Sequence, residues 1–184
     1  MELPELQHIV KAIIQASVKP VTFEELRLAF AREENVTDKQ VQVALKNLLK
    51  IKDSVQELKE IAGGYRYQIK SQYAPWIRRA QGIEDLVEKN TRIMNEVLAI
   101  VAYRQPISRQ EIDGIRGAGT HLSVLQELEE RGWIKIVAYG GKKHRAALYG
   151  TTTGFLEYFN LNSIYDLPAL EILPNKSIDA TPSN

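Results

Sequence analysis

A chain of 184 residues with 44% apolar and 26% charged side chains can bury a core, and it is long enough for one large domain or two small ones. Its 24 basic and 23 acidic side chains leave a net charge of +1, which argues against a dedicated nucleic-acid binder, and the lack of cysteine excludes disulfides, thiolate metal sites and cysteine nucleophiles. No apolar run approaches the roughly 20 residues that span a bilayer, and Glu2 and Glu5 stand where a signal peptide needs a basic stretch, so a cytoplasmic protein without membrane contact is expected.

Leu6, Ile9, Val10, Ile13 and Ile14 recur at helical spacing and stop before Pro20, which predicts a first amphipathic helix. Thr22 with Glu25 has the spacing of a capping box, and Phe23, Leu26 and Phe30 carry a short second helix. Thr37 with Gln40 repeats that spacing, and Val41, Ala44, Leu45, Leu48 and Leu49 share one face of a third helix running to about Lys52. The period then changes: Val55 to Ile61 and Tyr65 to Ile69 flank Gly63-Gly64, a dipeptide suited to the positive φ angles of a tight hairpin. Three helices and a hairpin make a winged helix.

The second half repeats the order. Ile93, Met94, Val97, Leu98 and Val101 predict a helix; Pro106-Ile107-Ser108 mirrors Pro20-Val21-Thr22, and Glu111 and Ile112 match Glu25 and Leu26 at one constant offset. Thr120 is expected to cap a further helix with Leu122, Leu125 and Leu128 inward, followed by strands at Trp133 to Tyr139 and Ala146 to Tyr149 around a loop that begins at Gly140-Gly141. The expected fold class is mainly α with small β wings (α+β), built as two tandem winged-helix domains: 1–80, a linker at 81–90, 91–165, and a tail at 166–184, mostly disordered after about 174. The net charge is +3 over residues 1–80, zero over 81–160 and −2 over the remainder, so no segment is strongly polarised.

Signs of reaction chemistry are sparse. His8, His121 and His144 show no metal-ligand spacing, Gly117 and Gly119 follow a helix rather than a strand, and no nucleophile elbow stands out; no enzyme, cofactor or metal is expected. Winged helices read DNA with the third helix while the wing touches phosphate. Lys39, Gln42, Lys46 and Lys50 on that helix of the first copy suit phosphate, whereas Ser123, Gln126, Glu127 and Glu130, with Glu129 beside them, make the second copy a poor reader of an anionic duplex. Lys142, Lys143, His144 and Arg145 form a basic second wing, so DNA contact through Lys39, Lys46, Lys50, Lys142, Lys143 and Arg145 is expected to be weak and non-specific. The stretch Tyr103, Arg104, Gln105 and Pro106, with Arg109 and Arg116-Gly117, is rich in the side chains of protein-binding hot spots; composition leaves open whether Tyr103 only packs its own helix end.

The run Leu98-Ala-Ile-Val-Ala-Tyr-Arg-Gln-Pro-Ile-Ser-Arg109, with Glu111-Ile112, Ile115-Arg116-Gly117, Leu128-Glu-Glu-Arg-Gly-Trp-Ile134, Leu148-Tyr-Gly-Thr-Thr152, Phe155-Leu-Glu-Tyr-Phe159 and Asp166-Leu167-Pro168, closely resembles the segregation and condensation protein B family over about residues 95–170. The first half agrees in layout more than in motif. The second wing, Lys142-Lys-His-Arg-Ala-Ala147, departs from the family's usual Gly-Arg-Pro, and Ile93-Met-Asn-Glu96 departs from its Ala-rich helix entry.

The resemblance implies a homodimer of tandem winged helices that is not an enzyme. Such a protein binds the kleisin subunit, segregation and condensation protein A, and through it serves the SMC ATPase that condenses and segregates chromosomes in dividing bacteria. It implies further that Tyr103 to Arg109 and Arg116-Gly117 belong to a kleisin-contacting surface and that the first domain supplies much of the dimer interface, with the protein nucleoid-associated in the cytoplasm. Aliphatic residues of the first helix in excess of what its own core accepts are the expected material of that interface. The competing reading is a winged-helix transcriptional regulator, which the lysines of the first third helix favour and the near-neutral charge opposes.

Overall fold

The computed structural model describes residues 2–33, 35–82, 89–140 and 145–169. The first unit comprises α1 (Leu3–Ala16), β1 (Val21–Thr22), α2 (Phe23–Ala29), α3 (Asp38–Lys50), and the strands β2 (Gln56–Ile61) and β3 (Gly64–Ile69). A 3₁₀ turn at Ser71–Tyr73 leads into a further helix, α4 (Ala74–Ala80), which the apolar spacing of the sequence does not predict. The second unit repeats the order with α5 (Lys89–Arg104), β4 (Ile107–Ser108), α6 (Arg109–Arg116), α7 (Leu122–Glu130), β5 (Ile134–Gly140) and β6 (Ala146–Thr151), then adds α8 (Thr153–Phe159) and a 3₁₀ turn at Ile164–Asp166. Each unit closes a three-stranded antiparallel sheet with the order β1-β3-β2 or β4-β6-β5. This is the tandem winged-helix architecture of mainly α, small-β class.

Two separate cores form. Leu6, Val10 and Ile14 of α1 pack against Leu26, Val41, Leu45, Leu48 and Leu58, while Val97, Leu98 and Val101 of α5 pack against Ile112, Leu125, Leu128, Ile134 and Phe155. Leu6, Val10 and Ile14 of α1 are buried in the core of their own unit, and Ile9 and Ile13 are half-buried against the same cluster. Exposed large apolar side chains include Val18, Leu28, Val43, Ile51, Ile69 and Trp76.

Capping boxes fix where α2, α3 and α6 start. The Thr22, Thr37 and Ser108 hydroxyls each accept from the backbone N–H three residues on, and Glu25, Gln40 and Glu111 return the bond to the cap N–H. Local expectations need correction at the first hairpin and at the entry to α7. The first hairpin turns on Ala62-Gly63, both at positive φ (51° and 76°), and not on Gly63-Gly64. Gly64 is instead a strand residue where a Cβ would stand 3.0 Å from the Pro20 backbone, so its missing side chain serves a close approach. Helix α7 is entered at His121 without a side-chain cap. Thr120, the expected cap, is fully buried: its N–H donates to Asp113 Oδ1 at 2.6 Å and its hydroxyl accepts from Arg116.

Most of the expected linker and the far part of the tail fall outside the described residues, although α5 already begins at Lys89. Among the described residues no helix is long and apolar enough to cross a membrane.

Candidate functional site

The corner singled out in the sequence lies at the C-terminal end of α5. Helix α5 ends at Arg104, the Gln105–Pro106 peptide bond is cis, and Ser108 caps α6. The segments that carry the family resemblance meet here: Ile107 pairs with Tyr149 and Ser108 with Leu148, so the run through Pro106 is one edge of the second sheet and Leu148-Tyr-Gly-Thr-Thr152 is its central strand. Gln105 Oε1 accepts the Thr151 N–H at 2.6 Å and the Thr151 hydroxyl at 3.1 Å. Gly150 makes room for this, because a Cβ there would stand 2.9 Å from Gln105 Oε1 and 2.9 Å from Val137 Cγ1. Thr152 then caps α8, accepting from the Phe155 N–H at 3.2 Å, and its hydroxyl donates to the Gly132 carbonyl. Much of the motif therefore builds the unit rather than displaying a surface.

A groove remains open beside it. Ala102, Tyr103 and Gln105 on one side face Ile164, Tyr165, Leu167, Pro168 and Ala169 on the other, enclosing about 580 Å³. Tyr103 crosses the groove, donating from Oη to the Pro168 carbonyl at 2.7 Å. Behind it, a second cavity of about 220 Å³ runs between α5 and α8, lined by Leu98, Ala99, Ala102, Phe155, Phe159 and Leu167 among others. Sequence spacing assigns no site role to the wall from Ile164 to Ala169 or to the α8 aromatics, although Phe155 to Phe159 and Asp166-Leu167-Pro168 belong to the motifs that carry the resemblance.

The candidate residues divide into two kinds. Arg104 is exposed, and Arg109 is half-exposed with Asp113 Oδ2 3.9 Å from its Nε. Arg116, by contrast, has only 7% of its side chain exposed: its Nη1 donates to Thr120 Oγ1 at 3.0 Å and to the Gly119 carbonyl at 3.3 Å, and its Nε to Glu96 Oε2 at 3.3 Å. Gly117, at φ 68°, terminates α6 in the left-handed conformation that favours glycine. These last two residues brace α5, α6 and the entry to α7. Hydrogen bonding from Thr120 first, with the charges of Arg109 and Arg116 behind it, holds the Asp113 carboxyl below its usual range; the Ser108 hydroxyl and N–H do the same for Glu111.

Lys39, Gln42, Lys46 and Lys50 all lie exposed on α3. On α7, Ser123, Gln126 and Glu130 are exposed, while Glu127 pairs with Arg131 at 2.6 Å. Arg145 is exposed; Lys142, Lys143 and His144 fall outside the described residues.

Two winged helices in succession, with a groove between α8 and the end of α5, define a tandem winged-helix protein. Residues 8–170 match the family described as segregation and condensation complex subunit ScpB. The segregation and condensation protein B homolog of Coxiella burnetii is 37% identical over 168 residues, 89% of this chain and 78% of that protein. Segregation and condensation protein B of Syntrophotalea carbinolica is 34% identical over 172 residues, covering 93% and 85% of the two chains. Among solved structures, ScpB from Mycobacterium tuberculosis aligns at 26% identity and a TM-score of 0.39 over 88% of this chain and 98% of that one. A conserved hypothetical protein from Chlorobium tepidum aligns at 30% identity and the same TM-score, over 86% and 98%. The chain belongs to the ScpB family of segregation and condensation complex subunits.

Proposed function

We propose that the chain is a non-catalytic, dimeric accessory subunit that grips a segment of the kleisin, segregation and condensation protein A, and so serves the SMC ATPase in condensing and segregating chromosomes during cell division. It would work in the cytoplasm, on the nucleoid. One observation carries the docking site: Ala102 and Tyr103 of α5 line an apolar groove with Leu167, and Arg104, the chain neighbour of Tyr103, is exposed. A groove of this kind takes apolar anchors from a helix or extended segment, and an exposed arginine next to a groove residue favours acidic neighbours on that segment. Outward apolar side chains at Val43, Ile51, Ile69 and Trp76 supply material for a dimer interface in the first unit.

The test is calorimetry of the kleisin fragment against Arg104→Ala and Arg104→Ala/Tyr103→Ala, with thermal unfolding of each variant. Loss of about 1–4 kcal/mol of binding is expected, the range for truncated hot spots, with the fold of the Arg104 variant intact. Unchanged affinity in a folded double variant would place the partner elsewhere. Light scattering tests the dimer: a mass of 20.9 kDa that stays constant on dilution would reject it. The exposed Lys39, Lys46 and Lys50 favour a second reading, a DNA-binding regulator. Tight, sequence-selective binding with a steep salt slope would decide for that reading, and weak binding without preference for the first.

A further inference from the structure

The tip of the first wing meets the second unit. A two-residue hairpin turn with positive φ at both positions leaves the turn amides without partners inside the hairpin, and buried or half-buried amides need partners somewhere. Here both find them in the second unit: the Ala62 N–H donates to the Leu161 carbonyl at 2.9 Å and the Gly63 N–H donates to Asn162 Oδ1 at 2.9 Å. Two side chains of β3 follow on the same face, as the strand alternation requires. Arg66 Nη2 donates to Asn160 Oδ1 at 2.9 Å and to the Glu157 carbonyl at 3.2 Å, and Gln68 Nε2 donates to the same Asn160 oxygen.

The match is one of opposites. A helix C-terminus presents carbonyls with no partner in the helix and the negative end of its dipole, and what approaches it here is a set of N–H donors that includes a guanidinium. Asn160 ends α8 in the left-handed region at φ 59°, which turns its side-chain oxygen to Arg66 and Gln68. Ala62 is the cost on the other side. At φ 51° it holds a conformation that a turn of this type normally gives to asparagine or glycine, and strain of that kind persists where surrounding contacts over-determine it.

We infer that the first wing is an intramolecular latch, which clips the Ala62-Gly63 turn, Arg66 and Gln68 onto the C-terminal end of α8 and fixes the second winged helix at a set angle to the first. Two consequences follow from the placement. Arg66, which on a free wing would face solvent and be open to phosphate, is engaged internally. Helix α8 also lines the groove behind Tyr103 with Phe155 and Phe159, so one helix joins that groove to the wing of the other unit.

The latch is read in the full-length chain by amide hydrogen exchange at Ala62 and Gly63 and by the distance distribution between spin labels on the exposed positions Lys46 and Gln126. Asn160→Gly keeps the left-handed backbone and removes the shared acceptor; Asn162→Ala removes the other. Arg66→Ala attacks the contact from the wing side, in case the α8 variants disturb their own unit. In the parent both amides should be protected. In Asn160→Gly/Asn162→Ala, or in Arg66→Ala/Asn162→Ala, they should exchange at least about tenfold faster and the label distribution should broaden, while amides of α3 and α7 stay protected. Turn amides of the parent that exchange like those of an open loop, or protection unmoved in both double variants, would overturn the latch. Protection that fades on dilution would overturn it too, by assigning the contact to a second copy.

Discussion

Replacing Gly150 by alanine puts a methyl group where β6 and the end of α5 come closest. The added Cβ would stand 2.9 Å from Gln105 Oε1 and 2.9 Å from Val137 Cγ1, well inside ordinary contact. Val137 stands on the outer strand and can move aside; the Gln105 amide cannot do so without giving up the Thr151 N–H at 2.6 Å and the Thr151 hydroxyl at 3.1 Å. Stranding a half-buried N–H costs about 1–3 kcal/mol, and forcing an extra methyl into a packed site costs a similar amount. The two costs are alternatives to a large extent, because withdrawing the amide relieves the clash, so the net loss should be about 2–4 kcal/mol. For a unit of this size each kcal/mol lowers the Tm by roughly 4–8 °C. Thermal unfolding followed by circular dichroism reads the loss, and a double-mutant cycle tests its cause. If the clash acts through Gln105, Gly150→Ala on a Gln105→Ala background should cost at least about 1 kcal/mol less than on the parent. A Gly150→Ala protein within about 0.5 kcal/mol of the parent, or strict additivity with Gln105→Ala, would refute the reasoning.

Arg116→Ala should destabilise the second unit by about 1–3 kcal/mol, because the nearly buried guanidinium supplies Thr120, Gly119 and Glu96 together. Arg116→Lys, which lacks the planar fork, should rescue little of that in urea unfolding. Tyr103→Phe should lose the bond to the Pro168 carbonyl at a cost of about 0.5–1.5 kcal/mol while keeping the ring in place, and exchange at amides near Ile164 to Leu167 should rise. Glu25, Glu111 and Asp113 all have their carboxyls held below the ordinary value by hydrogen bonds made in the folded state. Their contribution is therefore complete above the unfolded-state value near pH 4 and is lost as the pH falls through the lower folded value. The urea midpoint should drop on acidification below about pH 4.5, and Glu111→Gln should flatten that drop; an unchanged slope would contradict the assignment.

Local chemistry in this chain could be read directly. The capping boxes at Thr22, Thr37 and Ser108 depend on residues three apart, and the apolar period of α1, α3 and α5 on residues three and four apart, so near neighbours alone decide them. The tandem winged-helix order followed from that level, because each unit repeats the same helix and hairpin sequence, whereas the family followed from the motifs of about residues 95–170. What the sequence could not yield is which polar side chains turn inward. Arg116 and Thr120 read as surface and cap residues, yet a carboxylate at Asp113 and another at Glu96, brought in by folding, make burial of both the better solution. Gln105 likewise reads as a contact residue until Gly150, 45 positions further along, opens the space that lets it bind Thr151. The wing tip is the extreme case. Nothing near Ala62 announces a partner, since the acceptors for its turn lie about 100 residues away at the end of α8. Side-chain spacing therefore determined the elements and their order. Only the packed structure decided which donors meet which acceptors, because hydrogen-bond partners at long separation are selected by the geometry of two finished units.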